Sequence, residues 1–240
     1  MSELLNTLIQ DARVWQGRPQ HQSALPAEPT GYQALDNQLG GLGWPRGALS
    51  ECLLDAPGIG ELQLVLPLMR RLGDAGKTVF WINPPHTPYA PALARDGVNL
   101  DALVIVHTRP ADTLWTLENC LRSPVTGLVL AWPGTLATRD LRRLQLAAEA
   151  GSNVCVLFRE RRLAEQNSPA ALRLELAADH RHRLNVHVLK RRGSWPGQRC
   201  ALDLGHRANL APATPPTQPQ AARENAPVRT PVLQGPWPGP

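Results

Sequence analysis

The apolar positions of this chain fall into two rhythms. Near-continuous apolar runs at residues 49–54, 79–82, 103–106, 128–132 and 154–158 read as strands buried on both faces. Between them, residues 62–72, 91–95, 114–121 and 141–150 read as helices. Strands and helices in alternation predict an α/β fold, a mostly parallel sheet flanked by helices. Further on, residues 185–190 and 200–204 alternate strictly, the mark of a half-buried hairpin. The basic segment Arg191-Arg192-Gly193-Ser194-Trp195-Pro196-Gly197 lies between them, so the sheet is expected to end in an antiparallel C-terminal edge.

The two ends of the chain read differently. Residues 2–14 set Leu4, Leu5, Leu8, Ile9 and Ala12 on one side of a short amphipathic helix, and 17–29 form a polar connector. Residues 30–36 start a second short helix that leads into Gly40-Gly41-Leu42-Gly43. From residue 208 onward the composition shifts, with nine of the 24 prolines and Trp237 as the only aromatic. Such a segment buries too little apolar surface to offset its ordering entropy, which predicts a disordered tail. Within it Val232, Leu233 and Trp237 are either a docking peptide or part of a tail without a role. The expected organisation is therefore 1–29 as N-terminal helix and linker, 30–207 as the folded domain, and 208–240 as tail.

Composition narrows the class. A length of 240 residues accommodates one α/β core with appendages, and the mean hydropathy of −0.25 comes with no apolar run near a membrane span. The first residues lack a basic stretch and a cleavage site, so a cytoplasmic protein is expected. The four cysteines are far apart and form no ligand spacing; they read as small buried hydrophobes, with no metal site. Charge is uneven: residues 139–207 carry 14 Lys/Arg against 7 Asp/Glu, while the whole chain has a net charge of +5. That asymmetry suits nucleic acid or an acidic partner, and equally suits solvated helix faces.

The candidate chemistry centres on residues 55–62, Asp-Ala-Pro-Gly-Ile-Gly-Glu-Leu, between a strand and a helix. Backbone N–H groups and the helix dipole cradle phosphates in this setting, with a Lys-Ser/Thr pair after the last glycine. Here those positions are Glu61 and Leu62. A unit charge about 4 Å from a phosphate is worth roughly 1–4 kcal/mol, so the reversed sign swings binding by about twice that. Gly58 and Gly60 either retain an anion-binding turn or simply permit the tight strand-to-helix bend. Glu61 is either a helix-start residue favoured by the dipole or an interaction charge.

The order of several motifs resembles the ATPase core of RecA-type recombinases over roughly residues 30–205. The likeness rests on Thr30-Gly31 with Leu35-Asp36, on residues 41–47 (Gly-Leu-Gly-Trp-Pro-Arg-Gly), on Ser50-Glu51, on residues 76–82, and on residues 93–103. What the resemblance implies is a RecA-like P-loop-type core. The chain departs from that pattern wherever catalysis would sit: Asn83-Pro84-Pro85-His86 replaces the catalytic glutamate, and Ala131-Trp132-Pro133 the Mg²⁺-binding acid. Phosphoryl transfer depends almost wholly on positioned charge, so no catalytic residue, no cofactor and no ATP hydrolysis are expected. Only a short turn, 133–139, and the segment 159–168 stand where long DNA-binding loops would be.

With its basic, proline-rich extension the chain is similar to the ImuA family of translesion-synthesis proteins. That resemblance implies a non-catalytic accessory of an SOS-induced mutasome, with RecA, an ImuB-like Y-family protein and an error-prone C-family polymerase as partners. The related SulA family shares the catalytically empty fold and implies the alternative, a cell division inhibitor that binds the tubulin-like division protein. A third class, an ATPase borrowing a basic residue such as Lys77, is also open. For contact with single-stranded DNA or a partner the candidates are Arg159, Arg161, Arg162, Lys190, Arg191 and Arg192, against a solvated rim as the plain alternative. His86 has no nearby carboxylate or nucleophile, and the alternating His180-Arg181-His182-Arg183 would repel a cation.

Overall fold

In the computed structural model, residues 25–179, 183–192 and 199–204 are described. The N-terminal helix expected over 2–14, the hairpin tip with Trp195, His180 to His182, and the tail with Val232, Leu233 and Trp237 lie outside these residues.

Ala27–Glu28 (β1) pairs antiparallel with Trp44–Pro45 (β2), and Gln33–Gln38 (α1) lies between them in the chain. Ala48–Leu54 (β3) follows, buried at all seven positions. After it come Glu61–Asp74 (α2), Thr78–Ile82 (β4), Ala90–Arg95 (α3), Leu103–Val106 (β5) and Pro110–Arg122 (α4). Thr126–Ala131 (β6), Thr138–Gly151 (α5) and Val154–Glu160 (β7) complete the alternating part. Leu172–Asp179 (β8), Arg183–Arg191 (β9) and Arg199–Asp203 (β10) close the sheet.

The main sheet has eight strands in the order β10-β9-β8-β3-β7-β6-β4-β5. Six of them, β8 to β5 in that order, are parallel, and β9 pairs antiparallel with both β8 and β10. The fold is thus α/β with a mostly parallel sheet and an antiparallel edge. Because β3 is flanked by β7 and β8, its seven apolar or shielded positions have no wet face, which is why the sequence shows a run and no alternation.

Each face of the sheet carries its own apolar core. On one face α2 lays Leu64, Val65, Leu68, Met69 and Leu72 over Cys52, Trp81, Leu130 and Val156. Each such side chain contributes about 1.5–3 kcal/mol on burial, an upper bound because unfolded chains are partly compact. On the other face α4 and α5 bring Leu117, Leu121, Leu141 and Leu144 onto Leu49, Ile82, Val129 and Leu157. Among the described residues no helix is long and apolar enough to cross a membrane.

Strand β8 is absent from the sequence-based expectation, although Leu172, Leu174 and Leu176 alternate with Arg173 and Glu175. The short alternation is masked by an arginine that points inward. The 159–168 segment is shorter as a loop than expected: β7 runs through Glu160, and a 3₁₀ turn, Arg161–Leu163, follows.

Candidate functional site

The loop of residues 55–60 leaves β3 at its carboxyl end and delivers α2. Gly58 and Gly60 both have positive φ, 92° and 103°, and Gly60 is the residue before the helix. The φ of Gly60 favours glycine there, whereas an added Cβ would meet only the movable end of the Leu204 side chain. Glu61 turns back into the loop, 3% exposed, and its carboxylate accepts the Gly58 N–H at 2.9 Å (Oε1) and 3.1 Å (Oε2). A carboxylate of the chain itself therefore sits at the loop amide, at the positive end of a 14-residue helix. Leu62, in the first turn of α2, is half-buried and packs against the core.

Two further strand ends lie along the same carboxyl edge of the sheet. Past β4, Asn83 adopts a left-handed φ of 52°, unusual for a residue with a side chain. Its Nδ2 donates to Thr108 Oγ1 at 2.9 Å and Thr113 Oγ1 at 3.3 Å, and its Oδ1 accepts the Thr108 N–H at 2.7 Å. The chain leaves β4 outward toward β5 but leaves the neighbouring β6 inward toward β7. Such a reversal opens a crevice at the carboxyl ends of the strands. Here it is a cleft of about 890 Å³, lined by Asn83, Thr108, Thr113, Trp132, Arg139 and Arg143 among others. Asp140 accepts the Ala137 N–H at 3.1 Å and so occupies the start of α5. Past β6, Trp132 stacks on Phe158 with ring centroids 4.8 Å apart.

The six basic candidates are not one surface. Arg159 is corrected by the structure: its side chain is 3% exposed and ion-pairs with the fully buried Glu51 at 2.5 Å. A guanidinium so engaged is not presented to a phosphate. Glu51 also receives Arg173 at 2.7 Å, and Arg173 donates onward to the carbonyls of Leu163, Ala164 and Gln166. Arg161 bridges Asp55 at 3.1 Å and Glu175 at 2.6 Å, while Arg162 pairs with Glu160. Glu175 is held below the usual carboxylate range; partial burial opposes this, but the hydrogen bonds from His187 and Arg161 outweigh it. Lys190 donates to Ser168 O at 2.7 Å, and burial with Arg173 nearby lowers its pKa. Arg191 lies against Gly40, and Arg192 is exposed. The structure thus leaves Arg192 as the least engaged of the six among the described residues.

Other residues have plainer settings. Lys77 reaches Pro124 O at 3.5 Å, and His86 is exposed beyond β4. Cys52 and Cys155 are buried, which pushes both thiols up, and Cys120 and Cys200 are partly buried. No three His, Cys, Asp or Glu residues gather into a metal-binding group among the described residues. Sequence reasoning missed the Glu51–Arg159–Arg173 network and the Asn83 cluster. The one usable signal was Glu51, a lone acid inside an apolar strand.

Likeness to known proteins falls on the alternating part of the chain. The family described as "Cell division inhibitor SulA" matches residues 47–155, from the start of β3 into β7. A "Cell division inhibitor SulA" of Pectobacterium carotovorum subsp. carotovorum is 30% identical over 115 residues, 47% of this chain and 68% of that protein. The one from Photorhabdus laumondii is 28% identical over 119 residues, 49% and 67% of the two chains, and that from Serratia marcescens 27% over 122 residues, 50% and 73%. With 30% identity over 68% of such a relative, this chain belongs to the SulA family.

Proposed function

We propose that this chain is a non-catalytic, cytoplasmic inhibitor of bacterial cell division, produced in response to DNA damage, that binds the tubulin-like division protein. One observation carries the reading: every residue lining the 890 Å³ cleft falls within 47–155, the segment shared with relatives named for division inhibition. On this reading the core is a RecA-like one, its loop amide answered by Glu61 and its strand ends by Asn83 and Trp132. No nucleotide, metal or turnover is required, because a blocked polymer interface needs only a complementary surface. The test is induced expression in a rod-shaped bacterium: division rings fail to assemble and cells elongate, and reversing Arg139 in the cleft wall restores division. Normal rings at full expression would end the reading.

A second reading, the mutasome accessory, has its own support. The basic excess over 139–207 lies largely outside the matched segment, as do Arg161, Arg162, Arg191 and Arg192. In that case RecA, an ImuB-like Y-family protein and an error-prone C-family polymerase are the partners, with single-stranded DNA as a further contact. Co-purification from DNA-damaged cells separates the two, because the proteins recovered differ.

A further inference from the structure

The two edges of the main sheet are finished differently. Strand β10 carries Arg199 and Asp203 at its ends, and α1 lies against it. Strand β5, Leu103-Val104-Ile105-Val106, has no charged residue, no proline and no bulge, and among the described residues β4 is its one strand neighbour. Val104 is 39% exposed and Ile105 37%, on opposite faces of the strand, and Leu100 just before it is exposed as well. An apolar edge of this kind invites strand pairing, because charges, prolines and bulges are what guard against it.

The backbone groups left on this edge say what fits it. The Val106 carbonyl accepts the Asn83 N–H at 2.9 Å and so faces β4. Backbone groups alternate sides along a strand, so both polar groups of Ile105 and the carbonyl of Leu103 face outward. The Leu103 N–H is already given to Leu100 O. Beyond the strand, the Thr108 N–H turns inward to Asn83 Oδ1 at 2.7 Å, which leaves the His107 N–H outward. The row therefore reads Leu103 C=O, Ile105 N–H, Ile105 C=O, His107 N–H. Turned end for end, that row is its own complement about Ile105. Charge agrees: an antiparallel copy sets the Asp101 end of each strand against the Arg109 end of the other, whereas a parallel copy sets like charge beside like. The pair that Arg109 makes with Asp112 of its own chain is exposed and weak.

We infer that β5 is the interface of a symmetric homodimer, in which two sheets join edge to edge around a two-fold axis at Ile105. On one face Ile105 meets its counterpart, and on the other Val104 packs against Val106 of the second copy. Strands this short bury less than the roughly 1,200–2,000 Å² of a standard interface, so the dimer dissociates at about 1–100 μM. The pairing stands apart from the division-inhibitor reading, because no β5 residue lines the cleft.

The test is sedimentation equilibrium of the full-length chain from about 1 to 200 μM. The expected mass rises from the 26.2 kDa of one chain toward twice that value. Ile105→Lys stays monomeric throughout while keeping its unfolding midpoint, because the added charge sits on an exposed edge. Cysteine crosslinking checks the register independently. Directly opposed residues have Cα atoms about 5.5 Å apart, within disulfide reach, so Ile105→Cys gives a covalent dimer under mild oxidation that the unmodified chain does not. Val104→Cys, whose counterpart lies about 7–8 Å away, does not crosslink. A chain that remains monomeric at about 200 μM overturns the proposal and gives the edge to a strand of another protein. Dimerisation that survives Ile105→Lys, or crosslinking through Val104→Cys in place of Ile105→Cys, overturns it as well.

Discussion

The Glu61 carboxylate accepts the backbone N–H of Gly58, three residues back across the loop, at 2.9 and 3.1 Å. The residue that stands where a phosphate loop carries lysine is thus the one whose side chain bonds across this loop. An anion at the amino end of a helix is favoured by the dipole, and a charged acceptor roughly doubles the strength of the bond. Glu61→Gln, which keeps the shape and removes the charge, should cost about 1–2 kcal/mol. Urea unfolding reads this directly. Glu61→Lys with Leu62→Thr should give no ATP turnover above background, because Asn83 and Trp132 still stand at the neighbouring strand ends.

Glu51 is the most consequential single side chain of the sheet. Its removal takes from the buried Arg159 and Arg173 the carboxylate they share across β3, β7 and β8. Removing one partner of a buried ion pair costs about 3–5 kcal/mol, so Glu51→Gln should fall near the limit of stability for a domain of this size. Because Arg173 also clamps the carbonyls of Leu163, Ala164 and Gln166, the same variant should be cut faster by protease in that segment. A native-like unfolding midpoint would show that the network is not holding the strands.

Tyr32 gives an alkaline signature. Its hydroxyl donates to Gln63 O at 2.9 Å, and burial pushes its pKa up to about 12. The folded state therefore keeps the proton where the unfolded chain has released it. The associated stability is complete below about pH 10, the unfolded value, and is lost as pH rises toward about 12. The chain has two tyrosines, so a Tyr89→Phe background isolates one phenol. Its ultraviolet titration should have a midpoint near 12 when folded and near the ordinary value of about 10 in urea. Titration at the ordinary value in the native protein would contradict the burial argument.

Any DNA contact should now be sought at Arg192 and Arg162, with Arg159 left out. Reversing both charges should weaken single-stranded DNA uniformly across sequences and lower the salt slope by about 1 for each phosphate no longer neutralised. An affinity and slope that do not change return these residues to the solvated rim.

The legible parts of the fold were those encoded over short stretches. β4, β6 and β7 announce themselves as apolar runs, and α5 by its helical spacing, because each element's burial pattern is local. What stayed hidden depends on partners far apart in the chain: Glu51 meets Arg159 and Arg173 across separations of 108 and 122 residues. The arginines read as surface charge from composition alone, and only the register that sets Glu51 opposite Arg173 turns them inward. The same holds for the cleft. Asn83, Thr108 and Thr113 are unremarkable polar residues until the strand order brings three strand ends together.

The most direct test of the central reading uses purified full-length protein and the purified tubulin-like division protein. Polymer assembly is followed by sedimentation with GTP present and ATP absent. The account predicts that assembly is suppressed in proportion to the amount of this chain, that no ATP is needed, and that Arg139→Glu together with Asn83→Ala in the cleft relieves the suppression. Undiminished assembly at excess of this chain, or suppression that appears only with ATP, would contradict it.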